Sequence, residues 1–95
     1  MARHAVTVSA SYDAAVAPSD TADRLTAWAA GGDGRTFIVD PRIAPVRWTA
    51  TADYVIDADD AQSAQDVAID RFRSESSAAG VAEPETVVAA TGPLR

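Results

Sequence analysis

The chain predicts an α+β fold in which a four-stranded antiparallel sheet carries two helices on one face. Three observations predict it. Two long stretches alternate apolar and small polar residues with a period of two, the mark of strands with one greasy and one wet face. Two others repeat apolar residues at helical spacing between capping residues and glycines. Two short β-rich runs complete the order strand, helix, strand, strand, helix, strand along 95 residues.

The first strand is HAVTVSASY, His4 to Tyr12, with Val6, Val8, Ala10 and Tyr12 on one side and Ala5, Thr7, Ser9 and Ser11 on the other. DAAVAP connects it to the helix SDTADRLTAWAAGG. Ser19 or Asp20 is placed to accept free N–H groups of the first turn, and Asp20 and Asp23 suit the positive end of the helix dipole. Ala22, Leu25, Trp28 and Ala29 share a face. Asp20 and Arg24 form a favourable i, i+4 pair. Gly31 and Gly32 end the helix, since glycine readily adopts the left-handed C′ conformation.

GDG leads into the short strand RTFIVD around Phe37, Ile38 and Val39. PRIAP follows, and pairing can resume only after Pro41 and Pro45. VRWTATADYVIDAD, Val46 to Asp59, alternates almost without error: Val46, Trp48, Ala50, Ala52, Tyr54 and Ile56 face one way. Arg47, Thr49, Thr51, Asp53, Val55 and Asp57 face the other. Asp59 or Asp60 caps the second helix, which is expected to bury Ala64, Val67, Ala68 and Phe72 and to stop at Gly80. ETVVAAT, Glu85 to Thr91, is the last strand.

This order is the split βαβ arrangement (βαββαβ) of ferredoxin-like folds. Right-handed crossovers put the first and third strands at the centre of the sheet. The expected organisation is one ferredoxin-like domain over 1–95, with 92–95 as a short C-terminal tail.

The apolar fraction of 47% includes twenty-two Ala, leaving twenty-three larger apolar residues and only two Leu. Because a large buried side chain contributes ~1.5–3 kcal/mol and Ala far less, the core is light and burial against a partner has stability to add. There is no Cys, which removes disulfides, thiolate catalysis and zinc–sulfur sites. Neither a signal-peptide apolar run at the start nor a stretch approaching the ~20 residues of a membrane span occurs, so a soluble, cytoplasmic protein is expected. Eight Arg, no Lys, eleven Asp and three Glu give a net charge of −6, and Asn is absent as well. A GC-rich genome accounts for that bias, with salt adaptation as the alternative. Net negative charge argues against nucleic-acid binding, where neutralised phosphates supply most of the affinity.

The motifs that resemble chemistry have plainer readings. In DADD, a calcium loop counted from Asp57 would put Ala61, Gln62 and Ala68 where an oxygen ligand, Gly and Glu belong, so a strand end and helix cap is favoured. GGDG follows a helix and enters a strand, the reverse of a phosphate-binding loop. His4 is the only histidine, which leaves no His pair for a metal. Asp53, in mid-strand on the Thr-rich side, is a candidate general base, although a carboxylate there is ordinarily solvated. Trp28 and Trp48 fit core packing better than ligand binding.

Fold relatives can be tested by their motifs. An RNA-recognition sheet carries aromatics on its open face, and these positions are Thr, Ser and Asp. Metal-carrier domains carry CxxC, and the chain has no Cys. Small dimeric monooxygenases have this size and strand order, but no apolar cavity with converging polar groups can be assembled from the residues. Fold alone carries no function. The expectation is therefore a non-enzymatic interaction module with no cofactor, no metal and no nucleic-acid or membrane partner. It would work as a homodimer, or dock on a protein partner, through the open face formed by Thr7, Ser9, Thr49, Thr51 and Asp53. The alternatives are an acidic, DNA-mimic-like inhibitor or adaptor for a basic partner surface, and a small monooxygenase-like cavity enzyme.

Overall fold

The computed structural model describes residues 2–40 and 47–92, residues 38–40 by their main chain only. Its elements are β1 (Ala2–Asp13), α1 (Thr21–Ala30), β2 (Arg35–Asp40), β3 (Arg47–Ala58), α2 (Ala61–Ala78) and β4 (Thr86–Gly92). The strands form one antiparallel sheet in the order β2-β3-β1-β4. This is the expected ferredoxin-like α+β arrangement, with the two most regularly alternating strands at the centre. The connector Pro41 to Pro45, Val46 and tail residues 93–95 lie outside the described residues; Gly92, expected in the tail, closes β4 instead.

β1 and β3 pair along their whole length, from Ala2 opposite Ala58 to Asp13 opposite Arg47. That register puts Val6, Val8, Ala10 and Tyr12 beside Ala50, Ala52 and Ile56 on the helical side, all nearly inaccessible to solvent. Ala64, Ala68 and Phe72 of α2 and Leu25 and Trp28 of α1 complete the core. Ala at both buried positions of the first half of α2 lets the helix lie close to the sheet, so small side chains still give close packing. Trp28 meets Phe72 edge to face, with ring centroids 5.4 Å apart, and so joins the two helices.

Several local expectations change. Val67 remains 43% exposed, because contact with the sheet recurs at every fourth residue, Ala64, Ala68, Phe72 and Ser76, and Val67 falls on the flank. In α1 the buried set is Thr21, Leu25 and Trp28. The Asp20 side chain does not cap that helix: its Oδ2 accepts from Arg24 Nε at 2.7 Å, and this bond holds the carboxyl below its ordinary pKa. Asp60 does cap α2, accepting from the Ser63 N–H at 2.7 Å, which lowers its pKa in the same way. Gly31 ends α1 at φ −85, so no left-handed residue is needed there; Gly34 (φ 71) and Gly80 (φ 78) are the left-handed positions. Trp48 is only partly buried, packed edge-on against Phe37 at 6.4 Å near the Arg47 end of β3.

Candidate functional site

One face of the sheet carries both helices; the other carries no element among the described residues. The alternation of β1 and β3 sends Thr7, Ser9, Thr49, Thr51 and Asp53 to this open face. The register sets them in rows, with Thr7 opposite Asp53, Ser9 opposite Thr51 and Ser11 opposite Thr49. All five expected residues are therefore brought together on two neighbouring strands. Ser9, Thr49 and Thr51 are half-buried, whereas Thr7 and Asp53 are exposed. Thr7 Oγ1 donates to Asp53 Oδ1 at 2.7 Å, which fixes the one cross-strand hydroxyl–carboxylate contact in the patch.

The face extends beyond what β1 and β3 show by themselves. Thr36 of β2 lies opposite Thr51, and Thr86, Val88 and Ala90 of β4 lie opposite Ser11, Ser9 and Thr7. Val55 and Val88 are 57% and 62% exposed, so an otherwise hydroxyl-rich platform has apolar ground at two places, Val55 in the row of Ala5 and Val88 in the row of Ser9 and Thr51. Around Val55 is a shallow, open dish of about 650 Å³ bordered by Ala5, Thr7, Asp53, Val55 and Gly92. Val6 and Tyr54 also border it, although their side chains belong to the helical side.

Charges frame the platform in pairs. Arg3 faces Asp57 at 3.6 Å at one end, and Arg47 holds Glu85 at 2.7 and 3.4 Å at the other. The Glu85 bond pushes the Arg47 guanidinium further above its ordinary pKa. Such exposed pairs contribute little to stability, so their effect here is to limit net charge at the rim. Asp20, Asp23, Asp60, Asp66 and Asp70 belong to the helical layer. On the open face itself Asp53 is exposed in the row beside Ser9 and Thr51, where it accepts from Thr7.

On the helical side, Tyr54 Oη donates to Glu75 Oε1 at 2.6 Å, and Arg35 Nη2 reaches Glu75 at 3.4 Å. Arg35 also lies over the Trp28 ring at 5.2 Å, and Arg71 over the Tyr54 ring at 5.9 Å. Burial, and then the bond to Glu75, raises the Tyr54 pKa well above its ordinary value. Sequence reading missed this network, since its members are far apart in the chain and only the tertiary fold brings α2 over β3. Alternation had put Ser11 on the side of Thr7 and Ser9, but which residues stand beside it, and that Val88 lies beside Ser9, follows from register, which is not legible in one strand alone.

His4 Nε2 lies 3.3 Å from the Ala58 carbonyl, a structural contact at the end of the β1–β3 pair. Among the described residues no three His, Asp or Glu side chains are arranged to hold a metal ion. Within DADD, Asp57 faces Arg3 and Asp60 caps α2. Also among the described residues, no helix is long and apolar enough to cross a membrane. Comparison with protein-family models, with curated proteins and with solved structures finds no match to this chain.

Proposed function

We propose that this chain is a non-enzymatic interaction module that works as a homodimer, or docks on a protein partner, through its open sheet face. The observation that carries the reading is the composition of that face at its centre: Ser9 beside Thr51 and Ser11 beside Thr49, half-buried, with the exposed Asp53 engaged by Thr7. Small side chains let an opposing sheet approach to ~10 Å. A light, Ala-rich core leaves stability to be gained by further burial. At ~3.3 Å per residue and ~4.8 Å between strands, the four strands span roughly 600 Å² in plan. That area lies at the low end of specific interfaces, about 600–1,000 Å² per partner.

The open dish beside Asp53 favours a second reading, a small-molecule site of the cavity-enzyme kind, because it joins one carboxylate to apolar walls. Its shallowness counts against that reading, since such sites enclose most of their ligand. The test of the interaction reading is Thr51→Arg, which adds bulk and charge to the middle of the platform. On a solvated face this change stays within about ±0.5 kcal/mol and leaves the molecular mass unaltered. On a contact face it disrupts the complex, measured by light scattering of the purified protein. A monomeric parent chain with no copurified partner would end the proposal.

A further inference from the structure

The strand at the β1-side edge of the sheet has the residues of an interior strand. β4, Thr86–Gly92, pairs only with β1 among the described residues, so its other side is an open edge. Natural edges are blunted by charge, proline or a bulge. TVVAATG has no charge and no proline, and its register with β1 runs without a bulge. The opposite edge, β2, begins on Arg35 and ends on Asp40. Both faces of β4 are also apolar or small: Val87 and Ala89 pack toward the core, while Val88 and Ala90 are exposed on the open face. Apolar residues on both faces are the pattern of a strand enclosed on all sides.

From this edge we propose that two copies of the chain pair β4 to β4, antiparallel about Ala89, to form one continuous eight-stranded sheet. A strand that pairs with itself across a two-fold axis must run antiparallel, and centring on Ala89 uses the full seven residues. Thr86 then faces Gly92, Val87 faces Thr91, and Val88 faces Ala90 of the other copy. A second copy is the occupant because the pairing is self-complementary and free of like charges. For a chain of net charge −6, an uncharged strand is a place where two copies can meet without bringing carboxylates together. Gln65 of α2 donates to Thr91 Oγ1 at 2.7 Å, which holds the end of β4 in place before a second strand arrives. The paired sheet sets two open faces side by side, a platform of roughly 1,200 Å² at the same strand spacings. This pairing goes beyond the open-face proposal and stands without it.

Single-cysteine crosslinking tests the pairing, and the absence of native Cys makes the result clean. Residues directly opposite in an antiparallel pair have Cα atoms ~4.5–5.5 Å apart, within the ~4.4–6.8 Å that a disulfide spans. Ala89→Cys, a small change in a half-buried position, should therefore crosslink under mild oxidation to several times the yield of Val16→Cys, an exposed control outside the strand. Val87→Cys should fall back to the control level, because its two copies would lie about 14 Å apart. Thr51→Cys reports the open face independently, so failure there and failure at β4 are distinguishable. The proposal is overturned by an Ala89→Cys yield no higher than the Val16→Cys control, by a maximum elsewhere in β4, or by a parent chain that sediments as a monomer at every concentration. A β4 edge that instead receives an extended peptide from another protein gives the first of these results.

Discussion

Removing the Trp28 side chain tests whether the core is organised around the contact between the two helices. Trp28 is 2% exposed, edge-on to Phe72, and has Arg35 above its ring. Its indole Nε1 has no hydrogen-bond partner among the described residues, so packing and the Arg35 contact hold the ring. Deleting a buried aromatic costs about 3–5 kcal/mol, a range that already includes an edge-to-face pair of about 0.5–1.5 kcal/mol. Trp48 is the internal comparison, because it is partly exposed and makes one longer edge contact with Phe37. Trp48→Ala should cost about 1–2.5 kcal/mol, less than complete burial would imply. For a domain of this size each kcal/mol moves the melting temperature by ~4–8 °C, so Trp28→Ala should lower it by at least ~12 °C. Far-UV circular dichroism melts, with urea titrations at matched slopes, measure both variants. Should Trp28→Ala prove too unstable to melt, Trp28→Phe supplies a graded version of the same deletion. Equal costs at the two tryptophans, or a larger one at Trp48, would refute the placement of the core between the helices.

Gly80→Ala should destabilise the protein by the ~1–2 kcal/mol of a left-handed residue, because φ is 78, while the nearby Arg24 guanidinium sits at the end of a flexible side chain and can swing aside. A melt of Gly80→Ala matching the parent would refute the left-handed conformation at the end of α2. Stability should also fall in alkali. Burial and then Glu83 push Tyr12 up to about 12, and Tyr54 is raised further, whereas both titrate near 10 when unfolded. Below pH 10 both states keep these protons. Between about pH 10 and 12 the unfolded chain loses them while the folded chain does not, so unfolding becomes progressively easier. Tyrosinate absorbance followed together with circular dichroism checks this, and tyrosines that ionise near pH 10 with the fold intact would contradict it. Loss of association in Thr51→Arg and preferential crosslinking of Ala89→Cys, with the measurements described above, complete the set.

Element types and the two faces of the central strands were legible in the residues alone. Alternation with a period of two is a local property: once Val8 and Ala10 face inward, Thr7 and Ser9 must face outward. A cap at Asp59 or Asp60 was legible for the same reason, and the structure gives it to Asp60, whose donor is three residues away. The Asp20 side chain had two partners within reach, and only the folded geometry shows Arg24 taking it in place of the helix N–H groups. Helical periodicity likewise could not separate Val67 from Ala68, because the tilt of α2 across the sheet decides which flank is covered. Register was decided only by tertiary structure, and register makes Ser11 a neighbour of Thr49 and Val88 a neighbour of Ser9. The Tyr54–Glu75–Arg35 network also waited for the fold. β4 shows the division most clearly: its run of apolar and small residues reads the same at the centre of a sheet or at its edge. The element order had already put β1 and β3 at the centre and so β4 at an edge, and the strand order β2-β3-β1-β4 agrees; what waited for the structure is the register by which β4 pairs with β1 alone among the described residues, because register rests on contacts distant in sequence.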